Sequence, residues 1–161
     1  MKKIFIDGYN LIHSIPTLKN QLNYNLESAR DGLIDLLYHY KKRKKTDITV
    51  VFDGWPGFMG KDDNVKGIRV HFSHAPEKAD QVIKRLIGQY ERDKGILVVS
   101  SDREIFDYSR VCGLKSIRSE NFAEKLLSLQ IKSSALKKNK KKSDPMMSEE
   151  ELQEWMDLFG C

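Results

Sequence analysis

The sequence predicts an α/β fold in which crossover helices connect the strands of a mainly parallel β-sheet. Short apolar segments with the length of buried strands alternate with longer stretches of helical period, and this alternation is typical of such a sheet. The predicted strands are 4–6, 48–52, 68–72, 96–100 and 115–117. The chain has 161 residues, 40% of them apolar, which is enough for one domain with a core of ordinary size.

The longest predicted helix follows the first strand. Asn25 is a favourable N-cap, and the basic residues 41–45 suit the C-terminal end of a helix. Between them, apolar residues recur at helical spacing: Leu26, Ala29, Leu33, Leu36, Leu37 and Tyr40. We therefore expect a helix that buries one face against the sheet.

A second helix is predicted to begin at Pro76, because proline is favourable in the first turn of a helix. Its apolar face is formed by Ala79, Val82, Ile83, Leu86, Ile87 and Tyr90. Shorter helices are predicted at 103–111 and 120–129, so each of the last two strands is followed by a helix.

The end of the chain differs from the rest in charge. Residues 132–145 contain six basic residues and one acidic residue, whereas residues 146–161 contain five acidic residues and no basic one. We expect a main domain at 1–131, a Lys-rich linker at 132–145 and a C-terminal amphipathic helix at 146–161. The linker composition favours solvated chain rather than core.

In the C-terminal helix, Ser148 and Glu151 form a capping box ahead of an apolar stripe. The stripe consists of Leu152, Trp155, Met156 and Phe159. It is compatible with packing on the chain's own domain, with a homodimer through 148–159, and with docking on another partner.

Cysteine content and hydropathy predict a cytoplasmic protein with no membrane partner. Cys112 and Cys161 are too few for a disulfide scaffold and belong to no zinc motif. The first strand reaches Asp7 after three apolar residues, unlike a signal peptide, and no segment has the ~18 apolar residues that a membrane span needs.

Several enzyme classes do not fit the first strand and the turn after it. No glycine-rich turn for a dinucleotide follows this strand, and the chain contains no P-loop motif. A haloacid-dehalogenase-like phosphatase normally has a second acid two residues after the first, but Tyr9 occupies that position.

Four aspartates lie where predicted strands end or where a helix starts. Asp7, Asp53 and Asp102 each follow a strand, and Asp80 lies in the first turn of the helix predicted at Pro76. Because the C-terminal ends of parallel strands open on one edge, where ligands bind, we expect these acids to converge. Carboxylates held close together repel, so the cluster predicts a hard divalent cation, Mg²⁺ or Mn²⁺, and hydrolysis of a phosphodiester.

Each of these aspartates also has a simpler interpretation. Asp7 and Asp53 precede glycine, as turn residues often do. Asp102 can cap a helix, and the charge of Asp80 can stabilise a helix N-terminus. Asp80 lies beside the apolar stripe of its helix, however, where a purely solvated acid is less common. The metal-site prediction rests on the four positions together.

The joint pattern resembles a known family. The segments that carry the resemblance are DGYNLI at 7–12, ARDGLI at 29–34, VVFDG at 50–54, ADQVI at 79–83 and VVSSDREI at 98–105. In this order they are similar to the YacP-like branch of the NYN-domain, PIN-like ribonucleases, over roughly residues 1–128. The resemblance implies a PIN-like, Rossmann-like three-layer α/β/α sandwich and a metal-dependent endoribonuclease.

The same resemblance assigns roles to individual residues. Asp7, Asp80 and Asp102 bind Mg²⁺ or Mn²⁺ for endonucleolytic cleavage of RNA. Asn10 positions Asp7 or a metal-bound water, and Asp53 completes the acidic pocket. PIN-like sites often have a further acid near the last one, and here Asp107 is the candidate.

Basic and aromatic residues supply candidate RNA contacts. Arg103 directly follows Asp102, and Trp55 and Phe58 lie in a glycine-rich loop at the same predicted edge. We expect Trp55 or Phe58 to stack on an unpaired base, with packing against the core as the alternative. Further basic candidates are Lys84, Arg69, Lys61, Lys66, the run at 41–45 and the lysine run at 137–142.

The predicted substrate is therefore RNA, most simply single-stranded RNA, with mRNA and ribosome-associated RNA as the targets that the resemblance suggests. The alternative function is a non-catalytic RNA- or ribosome-binding module with the same fold. The presence of Asp7, Asp80 and Asp102 favours the nuclease, since a decayed site would be expected to lose at least one of them.

Overall fold

The computed structural model describes residues 2–138, which form an α/β domain with a single β-sheet. Its elements are β1 (Lys2–Asp7), α1 (Gly8–His13), α2 (Pro16–Leu22), α3 (Leu26–Lys44), β2 (Thr46–Phe52), β3 (Asp63–Val65), β4 (Ile68–Phe72), α4 (Ala79–Ile87), β5 (Ile96–Val99), α5 (Arg103–Val111), β6 (Lys115–Ile117) and α6 (Ser119–Lys138). A 3-10 turn at Gly88–Tyr90 follows α4. All five predicted strands are present, with ends that differ by a few residues.

The six strands form one sheet in the order β3-β4-β2-β1-β5-β6. Every neighbouring pair is parallel except β3 with β4, which are antiparallel. From β1 the chain first proceeds outward through β2 to β4, and it then crosses to β5 and β6 on the other side. The strand order thus reverses between β1 and β5, and in open α/β sheets a crevice for ligands forms at this point, beyond the C-terminal strand ends.

Helices cover both faces of the sheet, because successive residues of a strand point to opposite sides. Ile4 and Ile6 are buried in a core with residues of α1, α2, α3 and α6, whereas Phe5 is buried in a second core with residues of α4 and α5. This arrangement confirms the α/β fold predicted from the sequence and the α/β/α sandwich that the family resemblance implies.

The ends of α3 follow from local residues. The side chain of Asn25 accepts a hydrogen bond from the Ser28 N–H at 3.2 Å, which confirms the predicted N-cap. The helix ends where Lys45 adopts a left-handed conformation with φ of 49°. The next residue begins β2, which runs parallel to β1, so the basic residues 41–45 lie at the N-terminal edge of the sheet, opposite to Asp7. The Lys41 ammonium donates to the carbonyl of Gly67 in the β3–β4 turn.

The prediction that a helix begins at Pro76 is wrong, since α4 begins at Ala79. Pro76 lies in the preceding turn. The helix starts later because side chains bind the N–H groups of Lys78 and Ala79. The Gln81 side chain accepts from the Lys78 N–H at 2.9 Å, and Asp53 accepts from the Ala79 N–H at 2.7 Å.

The last described helix is longer than expected. The segment 120–129 belongs to α6, which extends to Lys138 and so includes the first residues of the predicted linker. The rest of the linker and the predicted helix at 146–161 lie outside the described residues. Among the helices of residues 2–138, none is both long and apolar enough to cross a membrane.

Candidate active site

Three of the predicted acids lie at the C-terminal edge of the sheet. Asp7 is the last residue of the central strand β1 and pairs in register with Val51. Asp53 follows β2 directly, and Asp102 lies three residues after the end of β5. Since β2 and β5 are the two neighbours of β1, these carboxylates lie at adjacent strand ends, next to the point where the strand order reverses and where open α/β sheets bind ligands.

Asp7 has an unusual pKa for an aspartate. Burial is the main cause that raises its pKa, from an ordinary 3.8 to about 7, and the hydrogen bond from Ser100 opposes this change. The negative charges of Asp53 and Asp102 raise the pKa further, whereas the backbone N–H of Asn10 lowers it. The two other acids therefore lie close enough to act electrostatically on Asp7.

Ser100 connects Asp7 to Asp102. Its hydroxyl donates to Oδ2 of Asp7 at 3.2 Å and accepts from the backbone N–H of Asp102 at 3.0 Å. Asp102 in turn caps α5, since its Oδ1 accepts from the N–H groups of Glu104 at 2.8 Å and Ile105 at 3.4 Å. The helix-capping interpretation of Asp102 is therefore correct, and it coexists with a position beside Asp7.

Asp53 joins the end of β2 to the start of α4. Its Oδ1 accepts from the Ala79 N–H at 2.7 Å and from the Ser73 hydroxyl at 3.4 Å. The next residue, Gly54, donates its N–H to the same Ser73 hydroxyl at 3.1 Å. A Cβ atom at Gly54 would lie 2.1 Å from the Ser73 carbonyl oxygen, so only glycine fits this loop as it is folded.

Asp80 lies in the first turn of α4, as expected, and is half-buried. It directly follows Ala79, whose N–H binds Asp53, and this contact fixes the start of its helix beside the acidic edge. Within the described part of the chain, the structure gives Asp80 no hydrogen bond or ion pair, and Asp80 is not among the charges that act on Asp7.

The backbone and the side chain of Asn10 make different contacts. Its backbone N–H contacts Asp7, but its side-chain oxygen accepts from the Ser101 N–H at 2.7 Å and from the Ser119 hydroxyl at 2.6 Å. The side chain thus ties α1 to the β5–α5 loop and to the start of α6. It positions the loop that carries Ser100 and Asp102.

Glu120 is an acid near this edge that the sequence analysis missed. Its Oε1 accepts from the Ser101 hydroxyl at 2.9 Å, and that hydroxyl also accepts from the Ser119 N–H at 3.1 Å. The predicted further acid, Asp107, instead lies in α5 with its carboxylate 3.9 Å from Arg103. Glu120 had no local motif to reveal it, because its proximity to the β5–α5 loop comes from the return of the chain through β6.

The acids do not form a closed ligand set. Among residues 2–138, no group of three or more His, Cys, Asp or Glu side chains is close enough to hold a metal ion. The described hydrogen bonds to Asp53 and Asp102 use Oδ1 of each, and the Ser100 bond to Asp7 uses Oδ2. Each carboxylate therefore has a second oxygen for which no side-chain donor is described, which suits a hard cation that binds oxygen.

The predicted basic contacts lie on exposed parts of the fold. The Arg103 side chain is 95% exposed beside Asp102, with its only ion pair in the described chain to Asp107. Lys84 of α4 forms an ion pair with Glu104 of α5 at 3.1 Å. Arg69 is exposed on β4, on the face opposite to the buried Ile68.

The two predicted aromatic contacts differ from each other. Phe58 is half-buried and packs against Phe72, with ring centroids 4.9 Å apart, and Phe72 in turn packs against the core. Trp55 lies against Phe58, with centroids 4.3 Å apart, yet remains 43% exposed. Arg30, which the sequence analysis did not single out, lies with its guanidinium carbon 6.0 Å from the Trp55 ring centroid.

The fold and the acidic edge define an α/β/α domain with carboxylates at the C-terminal end of its central strand, and comparison with known proteins identifies its family. A model of the YacP-like NYN domain matches residues 4–159. The chain therefore belongs to the YacP-like NYN domain family.

Individual relatives agree with this assignment. The chain is 34% identical over 88 residues to the protein YacP of Bacillus subtilis strain 168, an alignment that covers 53% of this chain and 51% of that protein. The matched part thus spans about half the length of this curated relative.

Two crystal structures of Rae1 (YacP) from Bacillus subtilis have the same fold. One, a tryptophan-to-leucine mutant, superposes with a TM-score of 0.71 at 23% identity and covers 92% of this chain and 89% of that chain. The other has a TM-score of 0.70 at 26% identity and covers 87% of this chain and 83% of that chain.

Proposed function

We propose that this protein is a metal-dependent endoribonuclease that hydrolyses RNA phosphodiester bonds at the edge formed by Asp7, Asp53, Asp80 and Asp102. Membership of a family of NYN nuclease domains supports hydrolysis of RNA. The observation that carries the proposal is the electrostatic interaction of Asp53 and Asp102 with Asp7, at the point where the strand order reverses.

The chemistry of these donors fits a divalent cation. All are carboxylates, and the pKa of Asp7 is raised to about 7, mainly by burial and further by the negative charges of Asp53 and Asp102. A nearby positive charge would relieve this repulsion and keep all the carboxylates ionised. We propose that Asp7, Asp53, Asp80 and Asp102 hold Mg²⁺ or Mn²⁺, which supplies a Lewis acid for the phosphate and a water of lowered pKa.

The other residues of the edge orient the acids. Ser100 fixes Oδ2 of Asp7 and the backbone of Asp102 through one hydroxyl, and the N–H of Asn10 stabilises the ionised form of Asp7. The Asn10 side chain holds the β5–α5 loop in place. In the proposed reaction, a water oxygen bonds to phosphorus and loses a proton, while the phosphorus–oxygen bond to the neighbouring ribose breaks and the leaving oxygen takes up a proton to become a hydroxyl.

The substrate in this proposal is single-stranded RNA. Trp55 is close to Asp53 in the chain, is partly exposed and can stack on an unpaired base, and Arg103 beside Asp102 can contact a phosphate. We extend the proposal to mRNA, including ribosome-associated mRNA, on the family resemblance alone.

The test is cleavage of an end-labelled single-stranded RNA with Mg²⁺ or Mn²⁺, with an EDTA control. Wild-type protein should cleave, and Asp7→Asn and Asp80→Asn should reduce the rate by at least ~100-fold, since they remove proposed metal-binding carboxylates. Asp47→Asn is the matched control, because Asp47 lies near the start of β2, at the opposite edge of the same sheet. Equal cleavage by wild type and both variants, or cleavage that persists in EDTA, would refute the proposal.

A further inference from the structure

An arginine and three aromatic rings form a cluster beside the proposed active site. Arg30 of α3 donates from Nη1 to the Tyr9 hydroxyl at 3.0 Å. Its guanidinium carbon lies 5.5 Å from the ring centroid of Phe72 and 6.0 Å from that of Trp55. We call Tyr9, Arg30, Trp55 and Phe72 the aromatic platform.

The platform is built on the acidic edge itself. Tyr9 follows Asp7 by two residues, and Trp55 follows Asp53 by two residues. Tyr9 also packs against Phe52, the last residue of β2, with ring centroids 5.0 Å apart. The platform therefore lies over the ends of β2 and β4, next to the carboxylates and on the face of the sheet that α3 covers.

The cluster holds Trp55 in place while leaving part of it accessible. Phe58 supports the indole from one side, and Trp55 nevertheless stays 43% exposed. Arg30 uses only Nη1 in hydrogen bonds within the described chain, so its other guanidinium N–H groups remain for a ligand. An indole and an arginine side by side offer both a stacking surface and donors for a phosphate or base oxygen.

We propose that the aromatic platform binds one unpaired nucleobase of an RNA strand, adjacent to the phosphate at the acidic edge. Trp55 provides the stacking surface, and Arg30 both fixes Trp55 and contacts the nucleotide. The inference rests on the proposed nuclease function and deepens it, because such a site would select single-stranded RNA: a paired base is not free to stack on a protein side chain.

Trp55 is also a spectroscopic probe that works without cleavage. The chain contains two tryptophans, Trp55 and Trp155. In the full chain with Trp155→Phe, the fluorescence of Trp55 alone can be followed in EDTA as a single-stranded oligonucleotide RNA is added. We expect saturable quenching by this RNA, and little quenching by the same strand with abasic sites or by its duplex.

Binding is measured in the same buffer by the anisotropy of labelled RNA. Trp55→Ala and Arg30→Ala should each weaken binding by roughly 5- to 150-fold, the range that corresponds to loss of one base–aromatic stack. Tyr9→Phe keeps the ring but removes the acceptor for Arg30, so it should give a smaller loss. Trp55→Phe should bind RNA more tightly than Trp55→Ala, because it keeps an aromatic ring for stacking. If Trp55 served only folding, the two folded variants would not need to differ in RNA affinity. Thermal unfolding of each variant verifies that it is folded.

The outcomes separate this inference from the nuclease proposal. RNA that binds without quenching Trp55, or folded Trp55→Ala and Arg30→Ala variants with wild-type affinity, would overturn the platform even if metal-dependent cleavage is found. If the intact strand quenches Trp55 fluorescence and the strand with abasic sites does not, the platform would be supported even if no cleavage occurs with either metal.

Discussion

Ser100 and Asp7 are joined across neighbouring strands by a hydrogen bond of 3.2 Å between the serine hydroxyl and Oδ2 of the aspartate. The same hydroxyl accepts the N–H of Asp102 at 3.0 Å. One serine thus fixes the separation of two acids that repel each other. It also lowers the pKa of Asp7, against the stronger effect of burial.

We expect Ser100→Ala to raise the pKa of Asp7 above its value of about 7, because the lost hydrogen bond stabilises the ionised carboxylate. The measurement is an NMR titration of the Asp7 carboxyl carbon in metal-free protein. Ser128→Ala, at an exposed position of α6, is the control and should leave the titration unchanged. A pKa that stays the same or falls in Ser100→Ala would contradict the role assigned to this hydroxyl.

The raised pKa of Asp7 also predicts how stability depends on pH. The carboxyl ionises near 3.8 in the unfolded chain and near 7 in the folded one, so the folded state binds more protons between these values. The free energy of unfolding of the metal-free protein should therefore fall as the pH rises from about 4 to about 7, by on the order of 2–4 kcal/mol for this group.

Asp7→Asn should remove this pH dependence and be more stable than wild type at pH 8 in EDTA. Urea unfolding at pH 5 and pH 8 measures the difference, with Asp47→Asn as the matched carboxylate control. Parallel pH profiles for wild type and Asp7→Asn would show that burial of Asp7 has no such energetic effect.

Asn10→Ala should destabilise the protein by about 1–3 kcal/mol, because it leaves a buried donor and a part-buried donor without their acceptor. These are the Ser101 N–H and the hydroxyl of Ser119, a fully buried residue. Asn10→Asp retains an acceptor oxygen at the same place and should lose less. Denaturant unfolding compares the two variants, and an equal loss in both would argue against these hydrogen bonds as the cause.

Gly54→Ala should disturb the loop that connects Asp53 to Trp55, because the new Cβ atom would lie 2.1 Å from the Ser73 carbonyl oxygen. We expect a loss of about 1–3 kcal/mol in stability, as for other overpacked sites, together with weaker RNA binding. Gly57→Ala is an informative comparison in the same loop: its Cβ would meet no atom within 4 Å, although its φ of 85° adds backbone strain. If Gly57→Ala weakens RNA binding more than Gly54→Ala does, the close approach of Gly54 to Ser73 is not what positions the loop.

Five of the six strands and the long helix α3 could be predicted because their signals are local. Asn25 and the apolar stripe that follows it identify α3 without reference to any other part of the chain. The predicted meeting of Asp7, Asp53 and Asp102 at one edge follows from parallel strand direction alone. The short elements α1, α2 and β3 were not predicted, since three to seven residues are too few for a clear period.

What the sequence did not reveal depends on partners distant in the chain. The start of α4 is set by Asp53, 26 residues before Ala79, so Pro76 was a misleading local signal. Asn10 binds Ser119 across 109 residues, and Arg30 reaches Tyr9 across 21. Such contacts exist only once the sheet has brought the segments together.

The basic end of α3 and the acidic edge of the sheet place opposite charges at the two ends of the strands. Five consecutive basic residues, 41–45, lie at one edge of the sheet, and Asp7, Asp53 and Asp102 lie at the other. In the metal-free protein, a polyanion approaching from solution is attracted toward the first edge and repelled from the second, and a divalent cation bound by the aspartates would reduce this repulsion. Added salt, which screens exposed charges beyond about 10 Å at 0.1 M, will weaken this steering more than it weakens contacts already formed. The rate of encounter with RNA should therefore be more sensitive to ionic strength than the rate of its release.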